Sequence, residues 1–148
     1  MLNIAVLVSG GGTNLQALID AQNHSEIPGG KIVLVISSNT DAYALERAKK
    51  AEIHTEVLLR KNFQTQDDYG AVLLKLLVDN NIDLIVLAGF MTIISQNVIR
   101  LYENKIINVH PALIPSFCGA GYYGLKVHKD ALAKGVKLTG ATVHFVNE

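Results

Sequence analysis

The strongest chemical signal in the sequence is the pair Asn108 and His110, two positions apart and directly before Pro111. Residues two apart in a β-strand point to one face, so the amide and the imidazole would act together. Asn108 can donate a hydrogen bond to an oxygen that becomes negative, and His110 can donate and exchange protons near neutral pH. Acyl transfer to an amine needs both groups. The alternative is a histidine satisfied by a core hydrogen bond, which is common for an isolated Asn-x-His.

The second signal is the glycine-rich turn at residues 9–14, Ser-Gly-Gly-Gly-Thr-Asn, between an apolar run and a helical pattern. Backbone N–H groups of such a turn can close on an anion, which the positive end of the following helix dipole also favours. A dinucleotide site does not fit, because Leu15 occupies the third glycine position and no acidic residue ends the second strand. We therefore expect a site for a lone phosphate, with Thr13 and Asn14 adding side-chain donors. An ordinary tight turn is the alternative.

The third signal is the segment 87–95, where a glycine ends an apolar run and is followed by Phe90 and further apolar residues. Such a segment could line an apolar slot for a flat heterocycle, with backbone groups binding the edge of the ring. Ordinary core packing at a strand-to-helix turn explains the same pattern equally well.

The other histidines and the single cysteine carry weaker signals. His144 lies on the last predicted strand, where a role in supporting the site and a purely structural role are both open. No metal-like spacing joins His24, His54 and His128, so we expect no metal site. Cys118 has no base beside it in the sequence that would make it a nucleophile.

These residues must be positioned by elements that alternate between short apolar runs and helical patterns. Strands are predicted at residues 4–8, 31–36, 55–58, 84–88, 105–109 and 141–146. One helix is predicted to begin at residue 13, and a second, for which residues 37–41 offer several N-caps, is predicted to end at about residue 51. Two further helices are predicted over 66–79 and 125–134. The alternation predicts an α/β fold, Rossmann-like and doubly wound, with a mostly parallel sheet and helices on both faces. Asn108 and His110 then stand at the carboxyl end of a strand, where open α/β sheets bind ligands.

Composition narrows the class of protein. The 148 residues are 49% hydrophobic and 18% charged, which excludes disorder, and 13 basic residues balance 13 acidic ones. We expect no nucleic-acid partner, because there is no global positive field, and no membrane partner, because the apolar run 4–8 is too short to span a bilayer. The expectation is one cytoplasmic domain over residues 1–148, either a monomer or a homodimer, that lacks its C-terminal portion because the chain ends directly after a strand.

Four segments in this order resemble the folate-dependent phosphoribosylglycinamide formyltransferase family of purine synthesis. They are residues 8–19, 87–91, 107–115 and 140–146, and the resemblance extends over the whole chain. The His-Pro-x-Leu-x-Pro stretch is shared by formyltransferases in general, whereas the glycine-rich turn is more specific. The resemblance implies the formyltransferase fold and transfer of a formyl group from 10-formyltetrahydrofolate to the amine of glycinamide ribonucleotide, without a metal.

The resemblance also implies roles for individual residues. Asn108 would orient the formyl group and stabilise the oxyanion, His110 would act as the general acid, and the loop 111–124 would be a mobile cover that excludes water. The residues implied to bind the substrate phosphate are Gly12, Thr13 and Asn14. Those implied to contact the folate, chiefly through backbone, are Met91, Thr92, Ile93, Ile94 and Asn108.

The sequence departs from the family in three respects. Gln66 and Thr92 stand where well-known members carry arginine, and the aspartate expected after the last strand lies beyond Glu148. Whether this chain alone is active is therefore open. A formyltetrahydrofolate hydrolase and a non-catalytic phosphate-sugar binding domain are the alternatives, whereas the neutral charge argues against a tRNA formyltransferase.

Overall fold

The structure is a computed structural model that describes residues 1–110, 124–135, 138 and 140–147. The strands are β1 Leu2–Val8, β2 Gly30–Ser37, β3 His54–Val57, β4 Leu84–Leu87, β5 Ile106–His110 and β6 Thr142–Phe145. The helices are α1 Thr13–Asn23, α2 Tyr43–Lys50, α3 Gln66–Asp79, α4 Gln96–Leu101 and α5 Gly124–Lys134, with a 3-10 turn at Arg60–Asn62. None of the helices described is both long and apolar enough to cross a bilayer.

The six strands form one sheet in the order β3-β2-β1-β4-β5-β6. All neighbours are parallel except β5 and β6, which are antiparallel. The α/β fold with a mostly parallel sheet is thus confirmed. The chain moves outward in one direction from β1 through β3 and in the other from β4 onward, so β1 and β4 flank the point where open sheets bind ligands.

Helices pack on both faces of this sheet, because successive residues of the buried strands point to opposite sides. On one face, Ala5 and Leu7 of β1 join the core formed with α3 and α4, around the fully buried Leu73 and Leu77. On the other face, a second core with α1 and α2 contains Ile4, Val6, Val8, Leu15, Ile19, Ala44 and Ala48. Because both faces are covered, the carboxyl ends of the strands are the part of the sheet left open for chemistry.

The prediction that a residue within 37–41 caps α2 was wrong. The helix begins after Ala42, which makes no capping hydrogen bond. The polar residues bond to one another instead: the Ser37 hydroxyl donates to the Asn39 carbonyl at 2.7 Å, and Asn39 Oδ1 accepts from the Asp41 N–H at 3.1 Å. This turn satisfies the backbone without an N-cap, as Asx turns commonly do.

No sequence pattern predicts α4, because the helix has only six residues and little intrinsic helical stability. It forms against α3 at Gly70, where a Cβ would lie 2.8 Å from the Cβ of Ser95. The absence of a side chain at residue 70 therefore allows the close packing that stabilises the short helix.

Candidate functional site

The glycine-rich turn between β1 and α1 is held from behind by α2. The Ala44 N–H donates to the Gly10 carbonyl at 3.1 Å, and Arg47 Nε donates to the Gly11 carbonyl at 2.7 Å. In a trans peptide the C=O and N–H groups point in opposite directions. Because both carbonyls face α2, the N–H groups of Gly11 and Gly12 face away from it.

Those N–H groups are available to a ligand. Within the described residues, no hydrogen bond engages the backbone N–H of Gly11, Gly12, Thr13 or Asn14. Gly12 is the N-cap of α1 and provides no side-chain cap, so the positive end of the helix stays open. Four free N–H donors at a helix N-terminus can bind an anion such as a phosphate.

Gly12 cannot be replaced there by another residue without strain. Its φ is +76°, in the left-handed region, and a Cβ at this position would lie 2.6 Å from the Cβ of Ala44. By contrast, a Cβ at Gly10 would meet no atom within 4 Å. The close approach of α2 and the shape of the turn therefore both depend on Gly12.

Ser9 connects the turn to the other strand ends, a role that the sequence analysis did not assign. Ser9 is 1% exposed, and its hydroxyl accepts a hydrogen bond from the Met91 N–H at 2.9 Å and lies 2.5 Å from the Ser38 hydroxyl. One side chain thereby joins the segments that follow β1, β2 and β4. The only sequence signal for this connecting role is that a polar residue directly follows the buried apolar run of β1.

The segment after β4 exposes apolar side chains beside this junction. Met91 is 53% exposed and Ile93 is 78% exposed, whereas Ile94 is buried. Gln66 Nε2 donates to the Ile93 carbonyl at 2.6 Å, and Gln66 Oε1 accepts from Arg60 Nε at 2.9 Å. An exposed apolar strip with a fixed backbone can bind the face of a flat ring.

Tyr69 lies beneath this segment and is completely buried. Burial raises the pKa of the Tyr69 hydroxyl from 10.0 to about 12, although the Thr92 side chain and the Arg60 charge offset part of the rise. No hydrogen bond of normal geometry reaches its Oη from the described residues. The hydroxyl therefore stays neutral at physiological pH and cannot serve as a base.

Asn108 is brought to the same edge by strand pairing. In the register of the sheet, Leu7 of β1 pairs with Leu87 of β4, which pairs with Asn108 of β5. Two interstrand spacings separate β1 from β5, so Leu7 and Asn108 lie roughly 10 Å apart, and the glycine-rich turn begins two residues beyond Leu7 at the same edge of the sheet. A small elongated ligand could reach both.

His144 fixes the orientation of the Asn108 amide. Its Nδ1 lies 3.0 Å from the Phe145 carbonyl, which can only accept, so Nδ1 carries the proton. In the neutral ring, Nε2 then accepts from Asn108 Nδ2 at 3.3 Å. This contact favours the supporting role for His144 over the structural one. Among the described residues, the second N–H of the Asn108 amide has no partner and can donate to a ligand oxygen.

His110 continues β5 after Asn108, with its backbone paired to Thr142. The register has no bulge between residues 108 and 110, so the two positions lie on the same side of the strand, as the spacing predicts. The side chain of His110 and the residues 111–123, including Cys118 and most of the expected cover loop, lie outside the described part of the chain. Within the described part, no three His, Cys, Asp or Glu side chains converge as a metal site would require.

A family model described as formyl transferase matches residues 2–148. Among curated proteins, the chain is 45% identical over 148 residues to the phosphoribosylglycinamide formyltransferase of Haemophilus influenzae, covering 100% of this chain and 67% of that protein. It is 40% identical over 147 residues to the Escherichia coli protein of the same name, covering 99% and 66%.

Solved structures agree with these relatives. The glycinamide ribonucleotide transformylase 1 of Symbiobacterium toebii superposes with a TM-score of 0.90 at 39% identity, covering 99% of this chain and 66% of that one. The chain thus spans about two thirds of the length of these bacterial relatives.

Proposed function

The chain belongs to the formyl transferase family, and we propose that it carries the site that transfers the formyl group of 10-formyltetrahydrofolate to the amine of glycinamide ribonucleotide in purine biosynthesis. The observation that carries this proposal is that four N–H donors, unpartnered among the described residues, follow β1 at the same edge of the sheet at which Asn108 stands on β5, two strands away. A phosphorylated sugar that bears an amine has a phosphate and a nucleophile to place at those two ends.

The phosphate end is formed by Gly12, Thr13 and Asn14. Their backbone N–H groups have no partner among the described residues, and the side chains of Thr13 and Asn14 are exposed. Phosphate would accept these hydrogen bonds and would also benefit from the dipole of α1. A hydrolase that transfers the formyl group to water has no need of this end, so the free donors favour the transferase over the hydrolase.

The reacting end is formed by Asn108 and His110. The amine attacks the formyl carbon, a C–N bond forms, the formyl oxygen becomes negative, and the amine nitrogen, now positive, releases a proton to solvent. The free N–H of the Asn108 amide would donate to that oxygen, because His144 holds the other one. As the bond to the folate nitrogen breaks, that nitrogen needs a proton, and His110 is the residue we assign to supply it.

The folate end is formed by residues 91–94, and a formyl folate is the donor that the family uses. The exposed side chains of Met91 and Ile93 would contact the flat ring system, with backbone groups of Thr92 and Ile94 binding its edge. Gln66, which stands where arginine is expected, keeps the Ile93 carbonyl occupied and the segment in place.

The test uses the protein in its natural full length, with glycinamide ribonucleotide and 10-formyltetrahydrofolate as substrates. Asn108→Ala should lower kcat about 10²–10³-fold and leave the KM for the ribonucleotide nearly unchanged, because only the oxyanion donor is lost. Asn23→Ala, an exposed asparagine at the end of α1, is the matched control and should behave as wild type.

Two results would contradict the proposal. Release of formate from the folate at a rate independent of the ribonucleotide would identify a hydrolase. Binding of phosphate sugars without any turnover of the folate would identify a non-catalytic binding domain.

A further inference from the structure

Arg47 contacts the side of the glycine-rich turn that faces α2, opposite the Gly11 and Gly12 N–H groups. Besides the 2.7 Å bond from Nε to the Gly11 carbonyl, its Nη1 donates to Gln16 Oε1 at 3.3 Å. Its Cδ would lie 3.2 Å from a Cβ placed at Gly12. A single side chain from α2 thus holds the turn and the first turns of α1 together.

No carboxylate of the described residues pairs with Arg47. The acidic residue one position earlier, Glu46, pairs instead with Lys49, with 3.7 Å between Glu46 Oε1 and Lys49 Nζ. The guanidinium carbon instead lies 4.9 Å from the centroid of the Tyr43 ring, over which Lys50 also lies at 5.7 Å. A half-buried arginine that pairs with no carboxylate of the described residues leaves positive charge beside the turn.

We propose that Arg47 is the positioning residue of the phosphate site. This proposal rests on the proposed function and names the residue that prepares its anion-binding end. The bond to the Gly11 carbonyl fixes the plane of the peptide that joins Gly11 and Gly12, so the Gly12 N–H is aimed at the phosphate before it binds.

The same bond acts through polarisation. A charged donor on the carbonyl draws electron density from its peptide group, which makes the N–H at the other end of that peptide a stronger donor. Arg47 therefore strengthens phosphate binding without touching the phosphate, and the folate end of the site should not sense its loss.

The experiment compares variants of the full-length protein by steady-state kinetics and by the Kd for ribose 5-phosphate. Arg47→Met keeps an unbranched side chain in the helix but removes the donors and the charge. We expect it to raise both the KM for glycinamide ribonucleotide and the Kd for ribose 5-phosphate about 10- to 100-fold, the range of one charge-assisted hydrogen bond. The kcat and the KM for the folate should stay within about threefold of wild type.

Two further variants separate positioning from a general loss of structure. Arg47→Lys keeps the charge and one donor, so it should recover part of the affinity. Lys49→Gln removes one positive charge from the same helix without touching the turn and should leave both constants unchanged. If Arg47→Met does not fold, a three- to tenfold loss of ribose 5-phosphate affinity in Arg47→Lys alone supports the proposal.

The proposal is overturned if Arg47→Met matches Lys49→Gln, or if it raises the KM for both substrates equally. It is also overturned if the folded Arg47→Lys protein binds ribose 5-phosphate as wild type does while Arg47→Met fails to fold. Wild-type protein that binds ribose 5-phosphate in an Arg47-dependent manner but transfers no formyl group would refute the proposed function and leave Arg47 as the positioning residue.

Discussion

Replacing Ser9 by alanine should weaken both the fold and the folate end of the site. The substitution removes the acceptor of the Met91 N–H and the partner of the Ser38 hydroxyl, at 2.9 Å and 2.5 Å. Each hydrogen bond contributes about 0.5–1.5 kcal/mol net, so Ser9→Ala should lower the free energy of unfolding by about 1–3 kcal/mol. Because Ser9 is buried, water cannot readily replace the lost hydroxyl.

The functional effect follows from the position of Met91 at the start of the apolar strip. Once its N–H is released, the segment 91–94 is less firmly held, and the affinity for the folate should fall. A loss of about 1 kcal/mol corresponds to roughly a fivefold rise in the KM for the folate. The KM for the ribonucleotide should change less, since α2 holds the glycine-rich turn independently.

The assay combines urea unfolding with steady-state kinetics, and Ser38→Ala is the matched control. Ser38 contributes one of the two bonds, so its loss should cost about half as much stability and should leave the Met91 bond intact. If Ser9→Ala and Ser38→Ala are equally stable and neither changes the KM for the folate, then Ser9 does not connect the strand ends as described.

Two further predictions concern the buried tyrosine and the glycine-rich turn. Burial raises the pKa of Tyr69 to about 12 in the folded protein against 10.0 when unfolded, so stability should fall by on the order of 2 kcal/mol as the pH rises from about 10 to 12. Tyr69→Phe should flatten that part of a pH-dependent unfolding profile, and Tyr43→Phe, at an exposed ring, should not. Gly12→Ala should cost at least about 2 kcal/mol in thermal unfolding, because the Cβ meets Ala44 in a strained backbone, whereas Gly10→Ala should cost far less. An equal loss in the two glycine variants would contradict this explanation.

The parts of the fold that sequence patterns predict are those with strong local signals. β1 is a continuous apolar run, and α3 has a helical repeat over 14 residues, so both were predicted close to their observed bounds. α4 was not, because its six residues become helical only through packing against Gly70. The cap of α2 was misassigned because side chains such as Asn39 can form an Asx turn as readily as an N-cap.

The site shows the same division. Asn108 and the glycine-rich turn are visible as local motifs, and the pairing of β4 with β1 and β5 brings them to the same edge of the sheet. Ser9 and Arg47 act through partners 82 and 36 residues away, for which no local pattern exists. The sequence leaves both roles of His144 open, because only the antiparallel pairing of β6 with β5 places its side chain beside Asn108.

The most direct test of the proposed site is a crystal structure of the full-length protein with glycinamide ribonucleotide and a folate analogue that cannot transfer its formyl group. We expect the phosphate to accept hydrogen bonds from the N–H groups of Gly12 and Thr13, and the formyl oxygen of the analogue to lie about 3 Å from Asn108 Nδ2. A phosphate bound away from the glycine-rich turn, or a formyl group out of reach of Asn108, would contradict the account.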